Sequence, residues 1–128
     1  MQNSIISDML TRIRNANNLR QKRVTIPLTR ITEKIIELFQ KEGFIESFQR
    51  NNNFLIVFLK YEKKTKSPCI TNLQTISKPG LRFYSNAKDI PQILGGMGVV
   101  IISTSQGILT DRDAKQRNIG GELLCSIW

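Results

Sequence analysis

The sequence contains no histidine among its 128 residues. Histidine is the commonest general base and the central member of the Ser-His-Asp arrangement, so the sequence lacks both. Zinc sites that need a histidine ligand are excluded as well. The only cysteines, Cys69 and Cys125, are far apart and form no CxxC pair. We therefore expect two free thiols in reducing surroundings, and no disulfide scaffold.

Long apolar runs are also missing. No stretch reaches 18 apolar residues, so the sequence predicts no transmembrane helix. The N-terminal segment MQNSIISDMLTRIRNANN has no long apolar core and no small-residue cleavage site, and we expect neither a signal peptide nor an organelle transit peptide. Hydrophobic residues make up 40% and charged residues 23%, which favours a folded domain, or two small lobes, over disorder.

Positive charge is what the sequence has in excess. Nineteen Lys and Arg residues face ten Asp and Glu residues, and the net charge is +9 with a pI of about 10.0. Such a balance favours a nucleic-acid partner, with an acidic membrane surface or a merely basic surface as alternatives. Up to residue 64 there are twelve basic and six acidic residues, and beyond it seven and four. If the C-terminal half binds nucleic acid, we therefore expect it to do so by geometry more than by charge.

The N-terminal half predicts two helices and three strands. Apolar residues at helical spacing over 4–18 predict an amphipathic helix with Ser4 as its N-cap. A polar segment, 62–68, is the best linker candidate. The other predicted features are a strand over 22–27, a helix from the cap Thr29 to about Glu42 that buries Ile31, Ile35, Leu38 and Phe39, an ion pair of Glu37 with Lys41, and a hairpin around 51–53 whose second strand, 54–61, is buried on both faces or nearly so.

The C-terminal half predicts short strands around tight turns. Pro79-Gly80 suits a type II turn. The fold class is therefore α+β, with two small lobes, each a short β-sheet with packed helices, over 1–64 and 65–128. The predicted elements are strands at 70–77, 81–85, 99–105, 108–110 and 122–128, a helical turn at 90–94, and a short helix that is capped by Thr110 or Asp111, runs to Asn118 and is ended by Gly120-Gly121.

Three consecutive hydroxyl residues, Ser103-Thr104-Ser105, follow a buried strand. A serine nucleophile needs a base and an oxyanion hole, but GxSxG is absent and nothing specifies Lys115 or Asp111 as the base. A polar loop between strands is one alternative. Another is an RNA-binding surface, because short hydroxyls suit the shallow minor groove with its 2′-hydroxyls. Gly107 would help the backbone to approach closely.

Two further motifs have simpler explanations than a ligand site. The glycines of 95–98 precede a strand, whereas nucleotide-binding loops follow one and open a helix. They are better explained by a sharp backbone bend. Asp111 and Asp113 lie at i,i+2, a spacing that does not place two side chains together on a helix. Acidic residues at a helix start are favoured by the macrodipole, so we expect no metal site.

Arg82 and Tyr84 alternate along one predicted strand and so share a face. An aromatic ring beside a guanidinium is typical of base stacking and phosphate binding. A half-buried tyrosine with an arginine stem lying along the surface is the alternative. Lys78, across the Pro79-Gly80 turn, would extend the same surface.

Five blocks in one order carry a family resemblance. They are DMLTRIRNA (8–16), KEGFIE (41–46), ISKPGLRFY (76–84), STSQGILTDRDA (103–114) and GGELLCSIW (120–128). Together they resemble the small-subunit ribosomal protein S-eight family over nearly the whole chain, and the segments 90–105 and 123–128 are most similar to its plastid branch. Eighteen Ile and ten Asn residues agree with an AT-rich genome. A bacterial origin is the alternative.

The resemblance implies a structural protein of the small ribosomal subunit. Such a protein binds rRNA of the subunit's central domain, the platform, through the minor groove of an rRNA helix, and helps assembly. Its partners would be rRNA and neighbouring ribosomal proteins, with no catalysis, cofactor, metal, membrane or small-molecule substrate. Its location would be the plastid stroma, within the ribosome, or alternatively the bacterial cytoplasm.

The family's RNA-binding residues carry over by matching blocks. This chain departs from the pattern at Gln106, where the family commonly has Lys or Arg, and at Phe83, where Ile is more frequent. The implied RNA-binding residues are Ser103, Thr104, Ser105, Glu122, Lys78, Arg82, Tyr84, Arg12, Arg14 and Asn15, to which we add Gln106, Lys22 and Arg30.

Overall fold

The computed structural model describes residues 2–128, with side chains from residue 4 onward. The chain is α+β, as predicted, and no helix of the described residues is long and apolar enough to cross a membrane. In chain order its elements are α1 (Gln2–Asn18), β1 (Arg23–Pro27), α2 (Arg30–Lys41), β2 (Ile45–Asn51), β3 (Phe54–Leu59), β4 (Leu73–Thr75), β5 (Tyr84–Ser85), a 3-10 turn (Leu94–Gly96), β6 (Val99–Thr104), β7 (Gly107–Thr110), α3 (Asp111–Gln116) and β8 (Gly121–Ile127).

Two antiparallel sheets divide the strands by chain order. The first has the order β1-β3-β2. The second has the order β4-β8-β6-β7, and β5 also pairs with β8. This arrangement agrees with two small lobes of mixed structure, and the boundary between 1–64 and 65–128 stays a prediction. The linker candidate forms a closed loop, because Tyr61 bridges Pro68 and the Cys69 amide donates to the Lys60 carbonyl at 3.0 Å.

The two sheets share one main hydrophobic core. Its buried side chains come from α1, α2, the first sheet and one face of the second sheet, including Ile13, Phe39, Val57 and Ile101. Each such side chain contributes about 1.5–3 kcal/mol to folding. A smaller cluster, which includes Ala114, lies between α3 and the other face of the second sheet. The second sheet is thus covered on both faces, and its turns remain at the surface.

The N-terminal cap predicted for α1 is wrong, and the one predicted for α2 is right. α1 begins at Gln2, so the prediction of Ser4 as its N-cap is wrong; Ser4 lies inside the first turns. The Thr29 cap of α2 is confirmed. Thr29 Oγ1 accepts from the Thr32 amide at 3.1 Å, and Thr32 Oγ1 accepts from the Thr29 amide at 2.9 Å, which gives a reciprocal capping box.

Two details of the first lobe also differ. β3 alternates buried and partly exposed residues, and Phe54 is 46% exposed, so the prediction of a strand buried on both faces is wrong. Although β3 is the middle strand, only one face of its sheet meets the core. The predicted ion pair of Glu37 with Lys41 is also wrong, because both residues pair with other partners. Glu37 pairs with Lys34 at 3.8 Å, and Lys41 reaches Asp113 of α3 at 3.9 Å.

The C-terminal elements are shorter than predicted. β4 and β5 cover three and two residues, and the helical turn lies at Leu94–Gly96 instead of 90–94. The segment between β4 and β5 turns at Pro79-Gly80, where Gly80 has φ 81° and Lys78 bridges Leu81. This left-handed glycine fits the predicted type II turn.

Candidate nucleic-acid interface

The serine-threonine stretch forms a tight β-hairpin, which we call the hydroxyl hairpin and define as residues 103–107. Ser103 and Thr104 end β6, Ser105 and Gln106 form the two-residue turn, and Gly107 begins β7 with φ 105°. Thr104 Oγ1 donates to the Gly107 carbonyl at 2.7 Å and accepts from the Gln106 amide at 3.1 Å. A hydroxyl has one proton, and that of Thr104 is already used in the hydrogen bond within the turn.

The three hydroxyl groups therefore differ in role. Thr104 holds the turn in shape, and Ser103 is half-buried at the end of β6. Ser105 is exposed at the tip of the turn. The sequence presented them as equivalent, but the structure makes Ser105 the hydroxyl that a partner can reach most easily.

A row of polar side chains crosses the second sheet beside this hairpin. Glu122 of β8 lies opposite Tyr84 of β5 on one side and opposite Ser103 of β6 on the other. Directly opposed residues of antiparallel strands place their side chains on the same face. Tyr84 is 69% exposed, and Arg82 Nη1 lies 3.7 Å from Glu122 Oε1. The face therefore combines an open aromatic ring with a guanidinium and a carboxylate.

The paired glycines before Glu122 permit this row. A Cβ on Gly121 would lie 2.1 Å from the Ser103 carbonyl oxygen, and one on Gly120 would lie 2.2 Å from the Ser85 carbonyl oxygen. The prediction that these glycines end α3 is wrong. α3 ends at Gln116, and Asn118 takes the left-handed conformation, with φ 55°. The glycines instead let β8 approach the backbones on both sides.

A polar groove of about 430 Å³ lies between α1 and the Pro79-Gly80 turn. It is lined by Arg14, Gln74, Thr75 and Lys78, so two of the predicted RNA-binding cations share it. The Arg14 guanidinium also donates to the Leu73 carbonyl, which fixes its position against β4. The groove places cations from both halves of the chain side by side.

Arg30 lies on a second groove, about 360 Å³ in volume, with Ile31, Lys34, Gly107 and Ile108 around it. This groove joins the start of α2 to the hydroxyl hairpin. Arg30 is therefore close to the hairpin although 73 or more residues separate them in the sequence.

The remaining predicted residues lie elsewhere on the first lobe. Lys22 lines a groove of about 610 Å³ together with Arg20, Lys63 and Lys66. The Arg12 guanidinium contacts Asp8 at 3.1 Å and donates to the Thr25 carbonyl at 3.2 Å. Asn15 is exposed on α1. These residues carry positive charge and polar groups, but no contact joins them to the hydroxyl hairpin.

Sequence reasoning missed one residue at the hairpin. Arg117, the C-cap residue of α3, donates from Nη1 to Gln106 Oε1 at 3.1 Å. The two residues are eleven positions apart on different elements, so neither spacing nor composition signals the contact. A guanidinium thus stands beside the turn at the position where Gln106 lacks a charge.

Asp111 and the Cys125 thiol are part of the folded core. Asp111 is buried and accepts from the Val100 amide at 3.2 Å, which commits its carboxylate to β6. Within residues 2–128 no three His, Cys, Asp or Glu side chains are grouped as metal ligands. Complete burial raises the pKa of Cys125 to about 12, so this thiol stays protonated.

Comparison with known proteins identifies the family. The family described as Ribosomal protein S8 matches residues 4–128, and the chain belongs to it. It is 55% identical to the small ribosomal subunit protein uS8c of Oltmannsiellopsis viridis and 54% identical to that of Physcomitrium patens, over 100% of each chain. It is also 51% identical to the small ribosomal subunit protein uS8 of Crocosphaera subtropica, over 98% of each chain.

Membership in this family makes the chain a structural constituent of the small ribosomal subunit, and not an enzyme. The resemblance drawn from the five sequence blocks is thereby confirmed. The uS8c relatives are plastid proteins, which supports a place in the chloroplast ribosome, although the cyanobacterial uS8 is similar to nearly the same degree.

Proposed function

We propose that this chain is a primary rRNA-binding protein of the small subunit's central domain, the platform, in the plastid stroma. Its C-terminal lobe, residues 65–128, contacts the minor groove of an rRNA helix and helps the subunit to assemble. Its other partners are neighbouring ribosomal proteins. The observation that carries the proposal is the row Tyr84-Glu122-Ser103 next to the exposed Ser105.

This row suits a minor groove of A-form RNA. That groove is wide and shallow and displays 2′-hydroxyls and base edges, which both donate and accept hydrogen bonds. Ser105 can do either, and the Glu122 carboxylate accepts. Tyr84, at 69% exposure, offers a ring for stacking on an unpaired base or a ribose. Gly107 adds no side chain that would hold the duplex away.

Positive charge around this face supports phosphate binding. The groove with Arg14 and Lys78 presents cations at one edge of the second sheet, and Arg30 is exposed on α2 near Gly107. Phosphate contacts position a protein on RNA without reading its sequence. We therefore assign affinity to these cations, and specificity to Ser105 and its neighbours.

The test removes one hydroxyl. Ser105→Ala is expected to weaken binding to a central-domain rRNA fragment about fivefold, since one hydrogen bond contributes about 1 kcal/mol. Binding to a random-sequence RNA duplex should hardly change. Gel-shift titrations of both RNAs at the same salt concentration measure the two affinities.

Ser47→Ala is the matched control, because it removes a half-buried serine hydroxyl from β2 in the other sheet. It should leave both affinities unchanged. An equal loss on the two RNAs with Ser105→Ala would contradict the assignment of specificity to the hydroxyl hairpin. Wild-type protein that binds the rRNA fragment no better than the random duplex would contradict the proposed function itself.

A further inference from the structure

The hydroxyl hairpin itself carries no charge. Residues 103–107 are two serines, a threonine, a glutamine and a glycine. The cation in direct contact with them is Arg117, whose Nη1 donates to Gln106 Oε1 at 3.1 Å. Both side chains are exposed, so the pair is a feature of the surface and not of the core.

Both ends of this contact are anchored. Gln106 lies in the turn that the Thr104 hydroxyl closes. Arg117 caps α3, and its amide donates to the Asp113 and Lys115 carbonyls. The contact uses one of five guanidinium donors, so the others remain for an anion. Because an amide has no charge, Gln106 also leaves the positive charge of Arg117 intact.

Other arginines of the chain are engaged differently. Arg82 lies 3.7 Å from the Glu122 carboxylate, and Arg112 donates to the Gly96 carbonyl near the 3-10 turn. Arg12 pairs with Asp8 at 3.1 Å. Arg117 is the arginine that is held against the hydroxyl hairpin by a neutral partner.

We propose that Gln106 aims Arg117 at a backbone phosphate of the bound RNA, so that Arg117 supplies the cation of the hydroxyl hairpin. Guanidinium binds phosphate through paired, charge-assisted hydrogen bonds. The positive charge that the family resemblance leads one to expect at position 106 is thus delivered from α3. The inference rests on the proposed RNA-binding function and names a phosphodiester as the group bound there.

The first test is Arg117→Gln. Loss of one charge-assisted contact should weaken binding to the rRNA fragment roughly tenfold. The slope of log K against log salt should fall by about 0.9, by analogy with duplex DNA. Gln106→Ala keeps the charge but removes the group that aims it, so it should weaken binding about threefold and leave the salt slope unchanged. Titrations at several salt concentrations measure both quantities.

The decisive variant moves the charge. In the double variant Gln106→Lys with Arg117→Gln the net charge is that of the wild type, and the cation stands on the turn itself. It should recover the wild-type salt slope and most of the affinity. Lys115→Gln removes one charge from α3 and keeps both residues of the Arg117–Gln106 contact, and it should change binding less than twofold.

Two outcomes overturn the inference. One is an Arg117→Gln variant with wild-type salt slope and affinity; the other is a double variant that binds no better than Arg117→Gln alone. Either result, together with specific binding by the wild type, leaves the proposed function standing. Urea unfolding of each variant checks the fold, and no change is expected because both side chains are exposed.

Discussion

Two hairpins of this chain, one in each sheet, each have a two-residue turn with an arginine beside it, but the partner of the arginine differs. The β2–β3 hairpin turns through Asn52 and Asn53, and the hydroxyl hairpin turns through Ser105 and Gln106. Each holds an arginine beside its turn. Arg50 places its guanidinium on both carboxylate oxygens of Glu33, whereas Arg117 donates to the amide of Gln106.

The difference shows that the partner's charge, and not exposure, decides whether a surface arginine is available. The Arg50 side chain is 65% exposed, yet its Nε and Nη2 donate to a carboxylate that also neutralises it. An anion that approaches Arg50 meets a guanidinium whose charge the Glu33 carboxylate already balances. An anion that approaches Arg117 meets a full positive charge and unused donors. The first hairpin is therefore structural, and the second is suited to binding.

The largest expected effect is a loss of stability when a side chain is added where two strands of the second sheet approach closely. Gly121→Ala should destabilise the protein by about 3 kcal/mol, because the added Cβ would lie 2.1 Å from the Ser103 carbonyl oxygen. Neither strand of the β2–β3 hairpin contains a glycine, so that hairpin has no equivalent weakness. The free energy of unfolding in urea measures the loss.

Gly80→Ala is the matched control for this prediction. Gly80 has φ 81°, but a Cβ there meets nothing within 4 Å, so the substitution adds backbone strain without a collision. A cost of about 1 kcal/mol is expected. If Gly121→Ala costs no more than Gly80→Ala, the close approach of β8 to β6 does not limit stability.

A smaller effect compares the two turns directly. Thr104→Val removes the hydroxyl that closes the hydroxyl hairpin and should destabilise the protein by about 1 kcal/mol. Asn52→Gly in the other turn should change stability by less than about 0.5 kcal/mol, since Asn52 has φ 56° and glycine adopts that conformation freely. Urea unfolding of both variants checks the contrast, and equal costs would show that the Thr104 hydroxyl does not hold its turn.

The sequence predicted local features only in part: the cap of α2 was right, whereas the Ser4 cap of α1 and the glycines at the end of α3 were wrong. A hydroxyl before a helical pattern predicted the Thr29 cap, and it left Thr110 and Asp111 as alternative caps of α3, of which Thr110 is present. The fold class followed from alternating strand and helix patterns and from glycine and proline turns. The prediction that both faces of β3 are buried was wrong, because apolar composition alone does not tell which face of a sheet meets the core.

The candidate site was predictable only in part. The family resemblance named Ser103, Thr104, Ser105 and Glu122, but it gave the three hydroxyls one role. The different roles of Thr104 and Ser105 depend on which side-chain hydroxyl the turn brings within hydrogen-bonding distance of the Gly107 carbonyl. The contact of Arg117 with Gln106 depends on where α3 packs against the second sheet, and no local pattern encodes that.

The smallest effect uses pH to separate the two arginines. The hydrogen bond from Arg50 lowers the pKa of Glu33 below its ordinary value of 4.5. Stability from this pair is therefore fully present above pH 4.5 and is lost as the pH falls through the lowered pKa. Arg50→Gln should be less stable than the wild type at neutral pH, and the difference should shrink as the solution is acidified.

Arg117→Gln is the matched comparison, because the amide of Gln106 does not titrate. Any difference in stability between this variant and the wild type should stay constant over the same pH range. Urea unfolding at several values between pH 7 and about pH 3 measures both differences. A difference for Arg50→Gln that does not change with pH would mean that Glu33 does not neutralise Arg50, and the two hairpins would then hold their arginines in the same way.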